Sequence, residues 1–214
     1  MFIIEGNIGA GKSTFLKLIQ KYIQEAKIAL EPIENWHNNI QGQSLLENFY
    51  KDPKRWAYTL ETVTMISRLK GHRQSESPLT IIERSIYSGH YCFAYNDYLS
   101  GFLSDFEWQI YLELFDLVTK NCKNPDGFIY LKVDPNIAYK RINKRSRIGE
   151  TIPLEYLQQI NDRHEEFLIK KQNVNEQIKN VPVLTIDCNE EFEEDVKLQN
   201  KIFHDVKNFI LDLI

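Results

Sequence analysis

Residues 2–14 read FIIEGNIGAGKST: an apolar run, a glycine-rich loop and the opening of an amphipathic helix. The spacing Gly6-x4-Gly11-Lys12-Ser13 constrains the fold more than any other feature of the chain. Backbone N–H groups at a helix N-terminus point at anionic oxygens, and glycines let the backbone approach them. Lys12 is then placed to reach outer phosphates and Ser13 to ligate magnesium. The loop Gly6, Asn7, Ile8, Gly9, Ala10 and the helix start Gly11, Lys12, Ser13, Thr14 are therefore expected to cradle the phosphates of a nucleotide. A glycine-rich turn that only caps a helix would leave the Lys-Ser pair unexplained.

A loop of this kind joins a strand to a helix, and the rest of the sequence continues that alternation. Short apolar runs at Phe2–Glu5, Ala26–Leu30, Leu79–Glu83, Phe128–Val133 and Val181–Ile186 read as strands. Helical patterns cover 12–24, 53–70, 105–121, 135–145, 154–177 and 193–213. In the first of these, Phe15, Leu18, Ile19, Tyr22 and Ile23 share one face. Ser104, followed by Asp105 and Glu107, is the expected N-cap of the third. The alternation implies an α/β fold, a five-stranded parallel sheet with helices on both faces. No repeat, low-complexity tract or linker interrupts the 214 residues, so a single domain over 1–214 is expected.

Bulk properties exclude several classes. A net charge of −4 argues against a dedicated nucleic-acid binder, which usually carries a basic excess. No apolar run approaches the length of a membrane span. Cys92, Cys122 and Cys188 lack CxxC spacing, so they give no disulfide or zinc framework. His37, His72, His90, His164 and His204 show no metal spacing and are expected at the surface or on helix flanks. The first strand begins at Phe2 with no targeting peptide ahead of it, so a cytoplasmic location is expected.

Five further segments follow the loop: EPIENW (31–36), KRW (54–56), ERSIYSGHYCFA (83–94), RINKRSRIGETIPLEYL (141–157) and DCNEEF (187–192). Together with EGNIGAGKST they closely resemble the deoxynucleoside kinases over essentially the whole chain. The loop alone would indicate only a P-loop enzyme; ERS, with R-x-R-x-x-E ahead of IPLEYL, is far more specific. The resemblance implies a P-loop NTPase fold with an arginine-rich lid at about 141–152. It also implies ATP or another NTP as phosphate donor, Mg2+ as cofactor, a deoxynucleoside as acceptor, and a homodimer paired through the helices at 53–70 and 105–121.

Residue by residue, Glu31 lies at the carboxyl end of the second strand, where parallel sheets place their ligands. The resemblance makes it the base that takes the proton from the nucleoside 5′-hydroxyl; a surface turn carboxylate is the alternative. It makes Glu83 the partner of Ser13 around magnesium, and Arg84 a clamp near the transferred phosphoryl. The other reading of Glu83 and Arg84 is a mutual ion pair. Asp134 is a rival metal carboxylate, although Pro135 makes it look more like a helix start. Arg141, Lys144, Arg145 and Arg147 concentrate positive charge, and Arg141 and Arg145, at i and i+4, can point at one site. In the lid that they resemble, arginines close over the triphosphate, with Arg145 and Arg147 stabilising charge on the transferred group. Arg141 and Phe192 match positions that sandwich the donor's purine. Glu150 and Tyr50 match groups that bind the sugar 3′-hydroxyl. Trp36 and Phe93 match aromatics on opposite sides of the base, and Phe49 and Leu60 belong to the same implied pocket.

The stretch TLETVTMISRL (59–69) departs from the family. Glu61, Thr64 and Arg68 share one helical face, while Leu60 and Val63 turn a neighbouring face inward. The matching segment in the family usually carries glutamine where this chain has Glu61. Glutamine offers a donor and an acceptor, whereas an ionised glutamate only accepts. Arg68 matches an arginine of cytidine- and purine-preferring members. Gly89 stands where those members carry the aspartate that partners that arginine. Two accounts follow: Glu61 receives two N–H bonds from the base, as guanine would supply, or Glu61 pairs with Arg68 in place of the missing aspartate. The expected activity is phosphoryl transfer from an NTP to a deoxynucleoside in nucleotide salvage. The alternatives are a nucleoside monophosphate kinase of thymidylate type and a catalytically silent kinase-like subunit.

Overall fold

The structure, a computed structural model, describes residues 1–31, 44–73, 79–145 and 152–214. Strands β1 (Phe2–Gly6), β2 (Lys27–Ala29), β3 (Thr80–Glu83), β4 (Gly127–Lys132) and β5 (Val183–Asp187) form one sheet in the order β2-β3-β1-β4-β5. Every pairing is parallel, with Phe2 beside both Ile81 and Gly127. Strand β1 takes the centre because FIIEG is buried along its whole length and can be covered on both faces. Each strand lies within two residues of its expected limits.

The helices are α1 (Lys12–Tyr22), α2 (Leu45–Lys51), α3 (Pro53–Arg73), α4 (Ile86–Ser88), α5 (Tyr95–Leu99), α6 (Asp105–Thr119), α7 (Pro135–Arg145), α8 (Leu154–His164), α9 (Glu176–Lys179) and α10 (Val196–Leu211). A π-helical turn, Gly89–Ala94, joins α4 to α5, and a second, Glu165–Ile169, extends α8. The period-2 alternation of β1 separates two cores. Ile3 belongs with Tyr87, Phe128 and Phe167 on one face of the sheet, and Phe2 and Ile4 with Phe15, Ile129 and Phe203 on the other.

Four expectations need correction. The helix expected over 154–177 ends with the π turn, because Lys171 and Asn173 adopt left-handed backbone at φ 52° and 53°. Segments 45–51 and 86–99, given no helix from periodicity, are largely helical. His72, His90 and His164 are buried, not superficial; only His204 among the described histidines is exposed. Val63 is 36% exposed, whereas Glu61, Thr64 and Arg68 are buried. The polar stripe of α3 is therefore the inward one.

Candidate active site

The carboxyl edge of the sheet assembles the site. Gly6 ends β1, Glu83 ends β3, and Glu31 lies two residues beyond β2. A cleft of about 620 Å³ opens over this edge, from Gly9–Lys17 on one side to Tyr50, Leu60 and Phe93 on the other.

The phosphate cradle has the backbone that its sequence demands. Gly9 sits at φ 80°, and a Cβ there would lie 2.7 Å from the Ala138 carbonyl oxygen. No other residue fits without displacing α7. Lys12 folds back, its Nζ donating to the carbonyls of Asn7 at 2.7 Å and Gly6 at 3.1 Å. Burial, and then the nearby Arg84, lower its pKa to about 7. Asn7 Nδ2 donates to the Leu157 carbonyl at 2.8 Å, tying the loop to α8. Ala10 is packed in the core beneath it. Ser13 Oγ donates to Glu83 Oε1 at 3.0 Å, so the hydroxyl and carboxylate that a hard cation would use are already adjacent. No cluster of three or more His, Cys, Asp or Glu that could hold a metal occurs among the described residues.

Glu31 is the electrostatic centre. Arg68 donates from Nε at 3.1 Å and Nη2 at 2.8 Å to Oε1, while Arg84 Nε lies 3.2 Å from Oε2. Burial alone would raise the pKa of this carboxyl; Arg68 and then Arg84 outweigh it and hold it below its ordinary value. The Glu31 backbone N–H donates to Glu83 Oε2 at 3.4 Å. Arg84 thus pairs with Glu31 rather than with its neighbour Glu83. It adopts φ 61°, a left-handed conformation that disfavours a side chain, and its N–H donates to Ile4 at 2.9 Å. Phe93 lies under both guanidiniums, 4.7 Å from Arg84 and 5.6 Å from Arg68, and also lines the cleft.

Gly89 has a steric reason to be glycine. A Cβ there would stand 2.5 Å from Arg68 Nη1. Arg68 thus occupies the space that a side chain at position 89 would need, and it donates to the Glu31 carboxylate. Glu61 is its second neighbouring acid, acting through charge.

Along the cleft wall formed by α7 and the segment after β5, Arg141 is fixed to that segment. Nη1 donates to Cys188 O at 2.8 Å, Nη2 to Glu190 O at 3.2 Å and Nε to Glu191 Oε1 at 2.8 Å. Phe192 is a core residue, edge-on to Phe15 at 6.2 Å, and at the same time lies over Gly11 in the cleft wall. Lys144 and Arg145 line the same wall. Asp134 starts α7, accepting from Asn136 N at 2.7 Å, and lies outside the cleft lining.

Ile8, Thr14, Phe49, Tyr50 and Leu60 also line the cleft. Trp36, Arg147 and Glu150 lie outside the described residues. Tyr156, Leu46 and Thr64 also line it and carried no role in the sequence reading. Tyr156 stood in the quoted IPLEYL segment, but nothing in a sequence distinguishes a tyrosine facing a cleft from one filling a core.

A family model for deoxynucleoside kinase matches residues 2–211. The chain belongs to the deoxynucleoside kinase family. It is 34% identical over 235 residues to deoxycytidine kinase 2 of Gallus gallus, covering 97% of this chain and 89% of the relative. The mitochondrial deoxyguanosine kinase of Xenopus laevis is 35% identical over 237 residues, covering 98% and 89%. A probable deoxycytidine kinase of Fowlpox virus (strain NVSL) is 37% identical over 215 residues, covering 98% and 88%. Deoxynucleoside kinases are phosphotransferases of the P-loop NTPase fold that use a nucleotide phosphate donor, and the parallel sheet and loop described above have that form.

Proposed function

We propose that the protein transfers the γ-phosphate of ATP or another NTP to the 5′-hydroxyl of a deoxynucleoside, with Glu31 as the base. The observation that carries this reading is the Glu31 carboxylate, buried between the phosphate cradle and the aromatic pocket and kept ionised by two guanidiniums. A carboxylate so held is a weak base but a well-oriented acceptor. That suits phosphoryl transfer, which depends on alignment and charge more than on basicity. Arg84, with Nε on Glu31, stands beside the path of the transferred group, and Lys12 and the lid arginines Arg145 and Arg147 supply further positive charge. Ser13 and Glu83 fit Mg2+, which usually takes one or two protein oxygens and completes its shell with phosphate and water. Ser13 and Glu83 would hold that ion, which would supply positive charge against the phosphates.

In the acceptor half, Tyr50 and Glu150 hold the sugar 3′-hydroxyl. Phe93, Trp36, Phe49 and Leu60 enclose the base, which Glu61 and Arg68 flank. In the donor half, Arg141 and Phe192 border the purine. A monophosphate acceptor would bring a phosphate towards Glu31, which repels it, so the thymidylate-type alternative is disfavoured. A homodimer is supported by apolar residues facing outward on α3 and α6, among them Ile66 and Phe106. A coupled ADP-release assay with each deoxynucleoside and its monophosphate tests the reading. Turnover with deoxynucleosides alone is expected. Turnover with monophosphates alone would establish the alternative, and nucleotide binding without transfer would indicate a silent subunit.

A further inference from the structure

Around the buried Glu61 and Asp97, acids outnumber the cations that could balance them. Glu61 lines the cleft from α3, and its Oε2 is buried with no hydrogen-bond partner among the described residues. Asp97, on α5, is fully buried, and neither of its oxygens has such a partner. The charge that acts on Asp97 is that of Glu61. Titratable groups act on the two acids from several elements. Arg68 lies on α3 itself, Tyr111 on α6 and Tyr156 on α8, with Glu31 and Arg84 at the sheet edge. The Tyr111 hydroxyl also has no partner among the described residues. Arg68 and Arg84 are both already engaged by Glu31. Two anions cannot persist in such a place, because a buried unpaired carboxylate takes up a proton instead.

We propose that Glu61 and Asp97 form a proton-holding carboxyl pair in which Asp97 stays neutral and Glu61 titrates, so that Glu61 reads the base in two forms. As a neutral acid it offers an O–H donor beside a carbonyl acceptor, the same pair that glutamine offers, and matches the acceptor N3 and amino donor of cytosine. As a carboxylate it accepts only, and matches the N1–H and amino donors of guanine. Which acid ionises first follows from the surroundings: Glu61 has Arg68 as a neighbour, and Asp97 has only Glu61 acting on it. Burial, the largest cause, lifts the Glu61 carboxyl to about 7 and the Asp97 carboxyl well above its ordinary value. The inversion therefore falls near neutral pH. Asp97 is a positioning residue, since it does not reach the cleft.

The inference about base reading rests on the kinase reading above; the carboxyl pair does not. Infrared spectra of the free protein, which need no activity, test the pair. At about pH 6 two protonated-acid bands from this site are expected, one lost on raising the pH to about 8. Glu61→Gln should remove the band that titrates, and Asp97→Asn the band that persists. If neither substitution removes a protonated-acid band, the pair does not exist. Steady-state kinetics test the reading of the base. Between the same two pH values the deoxyguanosine-to-deoxycytidine ratio of kcat/KM should rise about tenfold in the native protein. It should be flat in Glu61→Gln, and Asp97→Asn, which imitates the neutral acid, should leave the midpoint in place. A flat ratio in the native protein removes Glu61 from base reading. A midpoint that falls by more than about one pH unit in Asp97→Asn shows that Asp97 was ionised, and overturns the assignment. If the bands behave as expected and no deoxynucleoside is phosphorylated at any pH, the pair stands and the kinase reading fails.

Discussion

Glu31 is where residue chemistry decides most. If Glu31 is the base, Glu31→Gln keeps an acceptor for the 5′-hydroxyl but cannot take its proton, and it removes the negative charge that Arg68 and Arg84 share. kcat should fall by about 10²- to 10⁴-fold, with nucleotide affinity nearly unchanged, in steady-state and equilibrium-binding measurements. Lys12 gives a second test through its proton. With its pKa lowered to about 7, the free protein holds this side chain mostly neutral at pH 8. A bound triphosphate favours the ammonium form, so binding at pH 8 should take up close to one proton. Calorimetry in buffers of different ionisation enthalpy reads this directly, and binding without proton uptake would show that Lys12 is already charged. Gly89→Ala is a third. Its methyl would meet Arg68 Nη1, the end of a flexible side chain, so the fold should survive while the Arg68–Glu31 bond is displaced. The KM for deoxynucleosides should rise about tenfold, with a change in Tm of only a few degrees.

Element by element, the sequence was most informative where burial follows a clean period. The strands were legible because each is a short apolar run bounded by helical patterns. The N-cap of α6 was legible because a capping box is local: Ser104 Oγ accepts from Glu107 N, and Ser104 N donates to the Glu107 carboxylate at 2.9 Å. Ser104→Ala should lower stability by about 1 kcal/mol, visible as a fall in Tm of a few degrees, without changing kcat. The segment 86–99 was not legible, since Ile86, Tyr87, Cys92, Phe93 and Ala94 are all buried and leave no polar face to set a period. The end of α8 was missed because no glycine or proline marks it; Lys171 and Asn173 make the left-handed turns. Helix α3 was recognised as a helix, and of the two apolar residues expected to turn inward Leu60 is buried while Val63 is 36% exposed. Hydropathy assigns Glu61, Thr64 and Arg68 to solvent unless a binding site requires them inside, and Glu31, which binds Arg68, is far away in sequence.

At the scale of the whole molecule, one wall of the cleft was legible because a continuous stretch of loop and helix, Gly9 to Lys17, builds it. The opposite wall is assembled from α2, α3, the first π turn and α8, so only resemblance could bring its residues together beforehand. The same limit applies to assembly. Apolar residues point outward on neighbouring helices, Ile66 at 50% and Phe106 at 75% exposure, and a homodimer through α3 and α6 would cover them. If they form a homodimer interface, the chain should sediment at twice its 25.3 kDa mass. The double substitution Ile66→Arg and Phe106→Arg places like charges opposite one another across a two-fold interface, where both copies carry them. The variant should sediment as a monomer, with an unchanged circular dichroism spectrum because neither side chain belongs to the core. Helix α3 also carries Glu61 and Arg68 on its inner face. Loss of the partner should therefore raise the KM for the deoxynucleoside while leaving that for the NTP, bound at the far end of the cleft, nearly constant. A native chain that sediments as a monomer, or a variant that remains a dimer, would remove α3 and α6 from the interface.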